Sequence, residues 1–196
     1  PKPSNLGDLN GEEHVRSIIR RIELAAQVQI ESIRYLRTTA PATPATVNGT
    51  PCRYLVAVGA AEGGYGALLK IIPHLRVDLP AAFVVVLHAD APYVDAFVTY
   101  LNHCSSLRVK RALDGDRIEA GLCYVACGRE YVTVERTPAQ ATLVVHPAPF
   151  ENHKSAINML MISVAENFAG QSGGIILTGS GPDGLEGIGE IVRYAR

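Results

Sequence analysis

The sequence predicts an α/β protein with a doubly wound, mainly parallel sheet, helices on both faces and an antiparallel strand excursion near residues 121–145. Three observations predict this fold. Short apolar, β-branched runs alternate with amphipathic runs at helical spacing, which is the order of strand–helix–strand units. The strand-like runs are apolar on both faces, as in parallel strands covered by helices. Between residues 121 and 145, three such runs follow one another too closely for intervening helices.

The first 52 residues carry a different pattern. Apolar side chains recur at helical spacing over residues 12–36, opposite a face of arginines and glutamates, which predicts an amphipathic helix that needs a partner surface. Residues 38–51 are rich in threonine, alanine and proline, the profile of an extended linker. We therefore divide the chain into a helical segment at 1–37, an interdomain linker at 38–52 and an α/β domain at 53–196.

Within the α/β domain each element follows from its local pattern. Strands are predicted at residues 54–58, 82–87, 107–112, 122–126, 131–135, 141–145 and 174–177. Helical spacing of apolar residues predicts helices at about 67–72, 92–101, 155–168 and 185–194. The runs at 122–126, 131–135 and 141–145 are assigned to the antiparallel excursion.

Composition limits the classes of function. The formal net charge of the 196 residues is −1, which does not favour binding to nucleic acid or to an anionic membrane. No apolar run approaches the roughly 20 residues of a membrane helix, and the first ten residues lack a signal-peptide pattern. We therefore expect a cytoplasmic protein without membrane insertion, and the missing initiator Met suggests an excised fragment.

The four cysteines do not follow a metal-binding pattern. Cys123 and Cys127 are four residues apart, but no matching Cys/His pair follows at the spacing of a zinc site. We interpret Cys52, Cys104, Cys123 and Cys127 as reduced, mostly buried thiols of a cytosolic protein. The sequence therefore predicts no metal and no cofactor.

Three predicted strand ends carry residues that suggest a site. In doubly wound sheets, ligands bind outside the carboxyl ends of the strands. These ends are the glycine-rich turn at 59–64, His88, and the loop at 178–184 that contains Asp183. Each has a structural alternative: a tight turn, a structural histidine, and a helix cap. A His, an Asp and a sharp turn at one sheet edge together indicate a nucleophile–His–Asp site.

Four stretches resemble the motifs of the CheB-type protein-glutamate methylesterases, in the order of that family. They are 56–68 (VAVGAAEGGYGAL, similar to V-A-I-G-A-S-T-G-G-P-x-A-L), 83–88 (FVVVLH, similar to the strand ending in the catalytic histidine), 114–116 with 124–126 (similar to D-G-D…Y-V-A), and 176–184 (ILTGSGPDG, similar to I-L-T-G-M-G-x-D-G). The resemblance spans residues 53–196. The stretch PKPS at 1–4 is similar to the Lys-Pro near the end of a receiver domain. Residues 1–37 are thereby identified as the terminal helix of a receiver-type domain, which implies an upstream receiver domain.

The resemblance implies hydrolysis of glutamyl methyl esters on the cytoplasmic helices of chemoreceptors. By position, His88 is the general base and Asp183 its orienting partner. The site is lined by Glu62, Gly63, Gly179, Ser180 and Gly181. Amides near Ala61 and in the 179–181 loop are expected to help bind a developing oxyanion.

The nucleophile position of the family is occupied by Ala61. Alanine has no nucleophilic atom and cannot form an acyl-enzyme. An engineered Ser→Ala change and natural degeneration both explain it. Neighbouring departures from the family pattern favour degeneration, because an engineer changes one residue: Glu62 for Thr, Tyr65 for Pro, Leu87 for Gln, Cys127 for Pro and Ser180 for Met.

Three readings of the function stay open. The first is a catalytically impaired effector domain of a chemotaxis response regulator that binds chemoreceptors or other signalling proteins. The second is an active methylesterase, whose serine was mutated or whose chemistry moved to Ser180 or to a water polarised by Glu62. The third is a nucleotide-binding module built on the 59–66 turn, but its glycine spacing differs from the dinucleotide fingerprint and the second strand ends in His88 instead of an acid.

Overall fold

The structure, a computed structural model, describes Ile19 and residues 49–147 and 155–195. The chain divides into two units, Pro1–Thr39 and Ala40–Arg196, and everything below concerns the second. The predicted helix at 12–36 lies outside the described residues except for Ile19, as does the predicted linker except for its last four residues. In those four, the Thr50 carbonyl accepts a hydrogen bond from the Ala120 N–H at 3.0 Å.

Residues 49–147 and 155–195 form seven strands and four α-helices that alternate as predicted over most of their length. The strands are β1 (Tyr54–Ala60), β2 (Ala81–Leu87), β3 (Arg108–Arg111), β4 (Leu122–Cys127), β5 (Glu130–Arg136), β6 (Ala141–Pro147) and β7 (Ser172–Ile176). The helices are α1 (Gly64–Ile71), α2 (Ala91–Cys104), α3 (Ala156–Phe168) and α4 (Leu185–Tyr194). Short 3₁₀ turns follow α1 and α3 at Ile72–His74 and Ala169–Gln171.

Five strands form one parallel sheet in the order β3-β4-β2-β1-β7. Helices cover both of its faces. The core on one face combines α1 and α2 with the sheet, and it is centred on Leu68, Leu87 and Leu101. The core on the other face combines α3, α4 and the β5–β6 hairpin, and it includes Leu160 and Val134. The predicted doubly wound α/β fold is confirmed.

The prediction for the antiparallel excursion was right for two strands and wrong for one. Strands β5 and β6 pair antiparallel in a separate two-stranded sheet. Strand β4, which we assigned to the same excursion, lies instead in the main sheet, parallel to both β3 and β2. Every residue of β4 is buried, whereas β5 buries only Val132 and Val134. A strand buried on both faces belongs in the middle of a helix-covered sheet, which explains its place.

The loop between β3 and β4 replaces a crossover helix and is fixed by a buried tyrosine. The hydroxyl of Tyr124 accepts a hydrogen bond from the Glu119 N–H at 3.1 Å and donates one to the Arg117 carbonyl. Burial raises the pKa of this phenol, so the hydroxyl keeps its proton and its role as donor.

Strand β1 marks the point where the order of the sheet reverses. The chain continues from β1 to β2 on one side and later returns to β7 on the other. The crevice beyond the carboxyl end of such a strand is the usual ligand site of open α/β sheets. In the described part of the chain, no helix is long and apolar enough to cross a membrane.

Candidate active site

The five parallel strands end at the same edge of the sheet, and hydrogen bonds join the ends of β1, β2 and β7. The N–H of His88, directly after β2, donates to the Ala60 carbonyl at 2.8 Å. The N–H of Ala61, directly after β1, donates to the Thr178 carbonyl at 2.9 Å in the loop after β7. The three strand ends that the sequence singled out are therefore brought together, in agreement with the expectation from parallel strands.

The turn between β1 and α1 brings position 61 to this edge. Gly63 adopts φ +80°, a left-handed conformation that favours glycine, and it is the N-cap residue of α1. A Cβ at Gly64 would lie 2.9 Å from both Ala60 Cβ and a methyl of Leu87, so the helix starts pressed against the sheet. The result is a sharp strand–turn–helix that leaves the Ala61 side chain partly exposed.

His88 and Asp183 form a pair at this edge. Nε2 of His88 lies 3.1 Å from Oδ2 of Asp183, and the two side chains are 25% and 9% exposed. This contact does not have the geometry of a hydrogen bond, so Nε2 is buried beside the carboxylate without a hydrogen-bond partner among the described residues. A Cβ at Gly128 would lie 2.9 Å from His88 Cα and Cδ2, which means that the β4–β5 turn confines the imidazole from behind.

Two backbone N–H groups, in addition to His88, stabilise the charged form of Asp183. Its Oδ2 accepts a hydrogen bond from the Ile157 N–H at 3.1 Å, and its Oδ1 accepts one from the Asn158 N–H at 3.0 Å. Burial raises the pKa of this carboxyl, but His88 and the two backbone donors outweigh it and lower the pKa below its ordinary value. An orienting partner for a histidine base needs such a permanent charge.

The residues expected to line the site lie on its outer side. Glu62, Ser180 and Gly181 are exposed. Gly179 approaches the turn most closely, because a Cβ at that position would lie 2.6 Å from Ala61 Cβ. The N–H of Ala61 is already bonded to the Thr178 carbonyl, so it is not a free oxyanion donor in this arrangement. The expectation that amides near Ala61 help to bind an oxyanion therefore does not apply to the N–H of Ala61 itself.

Sequence reasoning missed three features of this edge. The hydroxyl of Thr178 is buried there and has no hydrogen-bond partner in the part of the chain that the structure describes. A cavity of about 160 Å³ opens beside the imidazole, and it is lined by His88, Ala89, Asp90, Gly128 and Arg129. Nε of Arg129 lies 2.8 Å from Oδ1 of Asp90 across its rim. The only sequence signal for this side of the cavity was Gly128, the glycine directly after the apolar strand β4.

A cysteine nucleophile is excluded at the end of β4. Cys127 stands beside Leu87 in the sheet, one residue from the His88 loop, but its side chain is buried in the core. Burial raises the pKa of its thiol, which suppresses the thiolate form that reacts.

The comparisons with known proteins identify the family of this domain. The family model described as CheB methylesterase matches residues 56–195, which include both ends of the His88–Asp183 pair. The chain belongs to the CheB methylesterase family. The resemblance expected from the four motifs is thereby confirmed.

Relatives in the CheB family extend the match beyond this domain. A protein-glutamate methylesterase/protein-glutamine glutaminase of Pyrococcus horikoshii is 32% identical over 199 residues, covering 98% of this chain and 54% of its own length. One from Oleidesulfovibrio alaskensis is 38% identical over 141 residues, covering 71% of this chain and 38% of its own length. The chain thus spans about half the length, or less, of the curated relatives it matches.

A solved structure in the CheB family has the same fold. The Thermotoga maritima CheB methylesterase catalytic domain superposes with a TM-score of 0.68 at 27% identity, covering 72% of this chain and 76% of that chain. The chain therefore contains a methylesterase-like domain of the CheB type.

Proposed function

We propose that this chain is the effector part of a chemotaxis response regulator that recognises methyl-esterified glutamates of chemoreceptors but hydrolyses them very slowly or not at all. One observation carries the proposal. A CheB-type sheet edge retains a His88–Asp183 pair at 3.1 Å, while position 61, at the adjoining strand–turn–helix, is an alanine.

The chemistry of the proposed site follows from the roles in a hydrolase triad. A serine attacks the ester carbonyl, the histidine takes its proton, and the aspartate orients the imidazole. Because Nε2 of His88 faces Asp183, Nδ1 is the nitrogen left to act as base. Ala61 offers no atom for this base to deprotonate. Loss of the serine in a protease with the same division of labour costs about 10⁶-fold in kcat.

The substrate class is proposed from the relatives and from the cavity. The Pyrococcus relative is named for activity on protein glutamate methyl esters and protein glutamine amides, which share the side-chain acyl carbon Cδ. The cavity beside His88 offers a place for such a side chain to reach the imidazole. We propose that the flanking loops, with Glu62, Gly63, Gly179, Ser180 and Gly181, contact the cytoplasmic receptor helix that carries it, or another signalling protein.

The remaining parts of the proposal concern the whole chain. We propose that residues 1–37 are the terminal helix of a receiver domain, that 38–52 are the linker to it, and that the protein is cytoplasmic. The Lys-Pro stretch at residues 2–3 supports this organisation, as does a match to the Pyrococcus relative that covers 98% of the chain. The departures around Ala61 support an inherited change.

Methanol release from membrane vesicles that carry a chemoreceptor with tritium-labelled methyl esters tests this proposal. We expect the chain to sediment with the vesicles and to release no methanol above the blank. Clear release would contradict the impaired site. Its loss in Ser180→Ala would then locate a relocated nucleophile, and its loss in Glu62→Gln would locate a polarised water. Absence of binding to methylated vesicles would contradict the proposed partner.

A further inference from the structure

Helices α3 and α4 begin side by side, and neither is capped by the residue that precedes it. The first turn of an α-helix leaves backbone N–H groups that need acceptors. Ser155 precedes α3 and Gly184 precedes α4, and neither provides a side-chain cap. Acceptors for both helices must therefore come from elsewhere in the fold.

Each helix receives its cap from the other. The carboxylate of Asp183, just before α4, accepts hydrogen bonds from two N–H groups in the first turn of α3, at Ile157 and Asn158. The side-chain Oδ1 of Asn158, in that same turn, accepts from the N–H of Gly184, just before α4, at 3.0 Å and from the N–H of Gly187, in the first turn of α4, at 2.9 Å. We refer to these four hydrogen bonds as the cap exchange.

The cap exchange joins Asp183 and Asn158 in a closed ring. The Asn158 N–H donates to the carboxylate of Asp183, while the N–H of Gly184, the residue next to Asp183, donates to the Asn158 side chain. The carboxylate and the backbone that carries it are thus fixed to the same residue of α3. A movement of this backbone would have to break bonds in both directions.

The two helices approach each other closely at the cap exchange. A Cβ at Gly187 would lie 2.5 Å from Met161 Cβ and 3.1 Å from the backbone of Asn158. Glycine at this position lets α4 pack against α3 and brings its N–H within reach of the Asn158 side chain. The cap exchange therefore sits on a packed helix pair and not on a free loop.

We propose that Asn158 is a positioning residue, which fixes the Asp183 carboxylate against the His88 imidazole through the cap exchange. This inference rests on the proposed function only in taking His88 and Asp183 as the functional pair. Asn158 acts through Asp183 and needs no contact with substrate. Its hydrogen bonds hold the Asp183 carboxylate in the position where Oδ2 lies 3.1 Å from Nε2 of His88.

Amide hydrogen exchange and imidazole ¹⁵N signals test the proposal without any catalytic activity. In Asn158→Ala we expect about tenfold faster exchange at Gly184 and Gly187, since each loses an acceptor. We also expect faster exchange at Ile157, whose acceptor is Asp183, and displaced ring signals of His88. A purely local role of Asn158 would leave Ile157 and His88 unchanged, and that result would overturn the proposal.

Two further variants keep the test decisive. Asn158→Asp retains an acceptor oxygen of the same reach and should keep the amides of Gly184 and Gly187 protected from hydrogen exchange. This variant reports on the same amides if Asn158→Ala does not fold. The control is Asn167→Ala at the other end of α3, where a partly buried asparagine donates to the carbonyls of Val134 and Ser163. We expect it to lower stability while the His88 ring signals stay in place.

A kinetic arm connects the cap exchange to the reaction. In an Ala61→Ser background that hydrolyses the ester, Asn158→Ala should lower kcat about 10- to 100-fold with KM unchanged, because a misplacement of about 1 Å is enough for such a loss. A raised KM with unchanged kcat would contradict positioning. If Ala61→Ser is inactive, His88 and Asp183 are not a competent catalytic pair, but hydrogen exchange still decides the role of Asn158.

Discussion

Replacing Asp183 by alanine tests how much this carboxylate stabilises the fold, both as a helix cap and as a negative charge at a helix terminus. The change removes the acceptor for the N–H groups of Ile157 and Asn158, at 3.1 and 3.0 Å. Loss of a helix cap costs about 0.5–2 kcal/mol, and a partly buried charge at a helix terminus contributes up to about 2 kcal/mol. These effects overlap, so we expect the free energy of unfolding to fall by about 2–3 kcal/mol, or roughly 5–10 °C in Tm.

The pH dependence of this loss identifies the charge as its cause. The folded state lowers the pKa of Asp183 below its ordinary value of 3.8. A lowered carboxyl pKa stabilises the folded state fully above the unfolded pKa, and the stabilisation is lost as pH falls through the folded pKa. Urea titrations should thus give the difference between the unchanged chain and Asp183→Ala in full at pH 5. Below about pH 4 the difference should shrink.

Asp90→Ala is the matched control for this measurement. Asp90 also precedes a helix, α2, but it makes no side-chain cap and forms an exposed pair with Arg129. Its removal should cost less than about 1 kcal/mol. A loss at Asp183 no larger than the loss at Asp90, or one that grows as pH falls, would refute the reasoning.

Two other predictions concern packing. Gly187→Ala would place its Cβ 2.5 Å from Met161 Cβ, so we expect a loss of about 1–3 kcal/mol in urea unfolding; an unchanged midpoint would show that the helices separate without cost. Burial raises the pKa of the Cys123 thiol to about 12, so iodoacetamide should alkylate it only in denaturant, whereas the partly exposed Cys104 should react first. Rapid alkylation of Cys123 in buffer would contradict its place in the core.

The fold was predictable from the sequence wherever burial left a local pattern. β-branched apolar runs predicted β1 and β2 as buried strands, whereas β7, predicted in the same way, is exposed at Ile175 and Ile176. The misassignment of β4 came from the use of spacing alone. Its continuous apolar run, Leu122 to Cys127, already indicated burial on both faces and so a place in the parallel sheet.

The site was predictable only as far as strand ends and family motifs reached. His88 and Asp183 follow or lie near predicted strand ends, and parallel strands bring such ends together. Asn158 was not predictable, because its partners at Gly184 and Gly187 are 26 and 29 residues away and the match exists only in the packed helix pair. The hydrogen bond from the Ala61 N–H to the Thr178 carbonyl could not be predicted either, because these residues are also far apart in the sequence.

The rate of methanol release by Ala61→Ser, measured beside the unchanged chain on the same methyl-esterified receptor vesicles, tests the central claim most directly. If His88 and Asp183 remain a competent pair around a vacated nucleophile position, the added hydroxyl should raise the rate by several orders of magnitude above the unchanged chain. The gain should disappear in the double variant Ala61→Ser/His88→Gln. Equal rates for Ala61→Ser and the unchanged chain, with both proteins folded and bound to the vesicles, would contradict the claim.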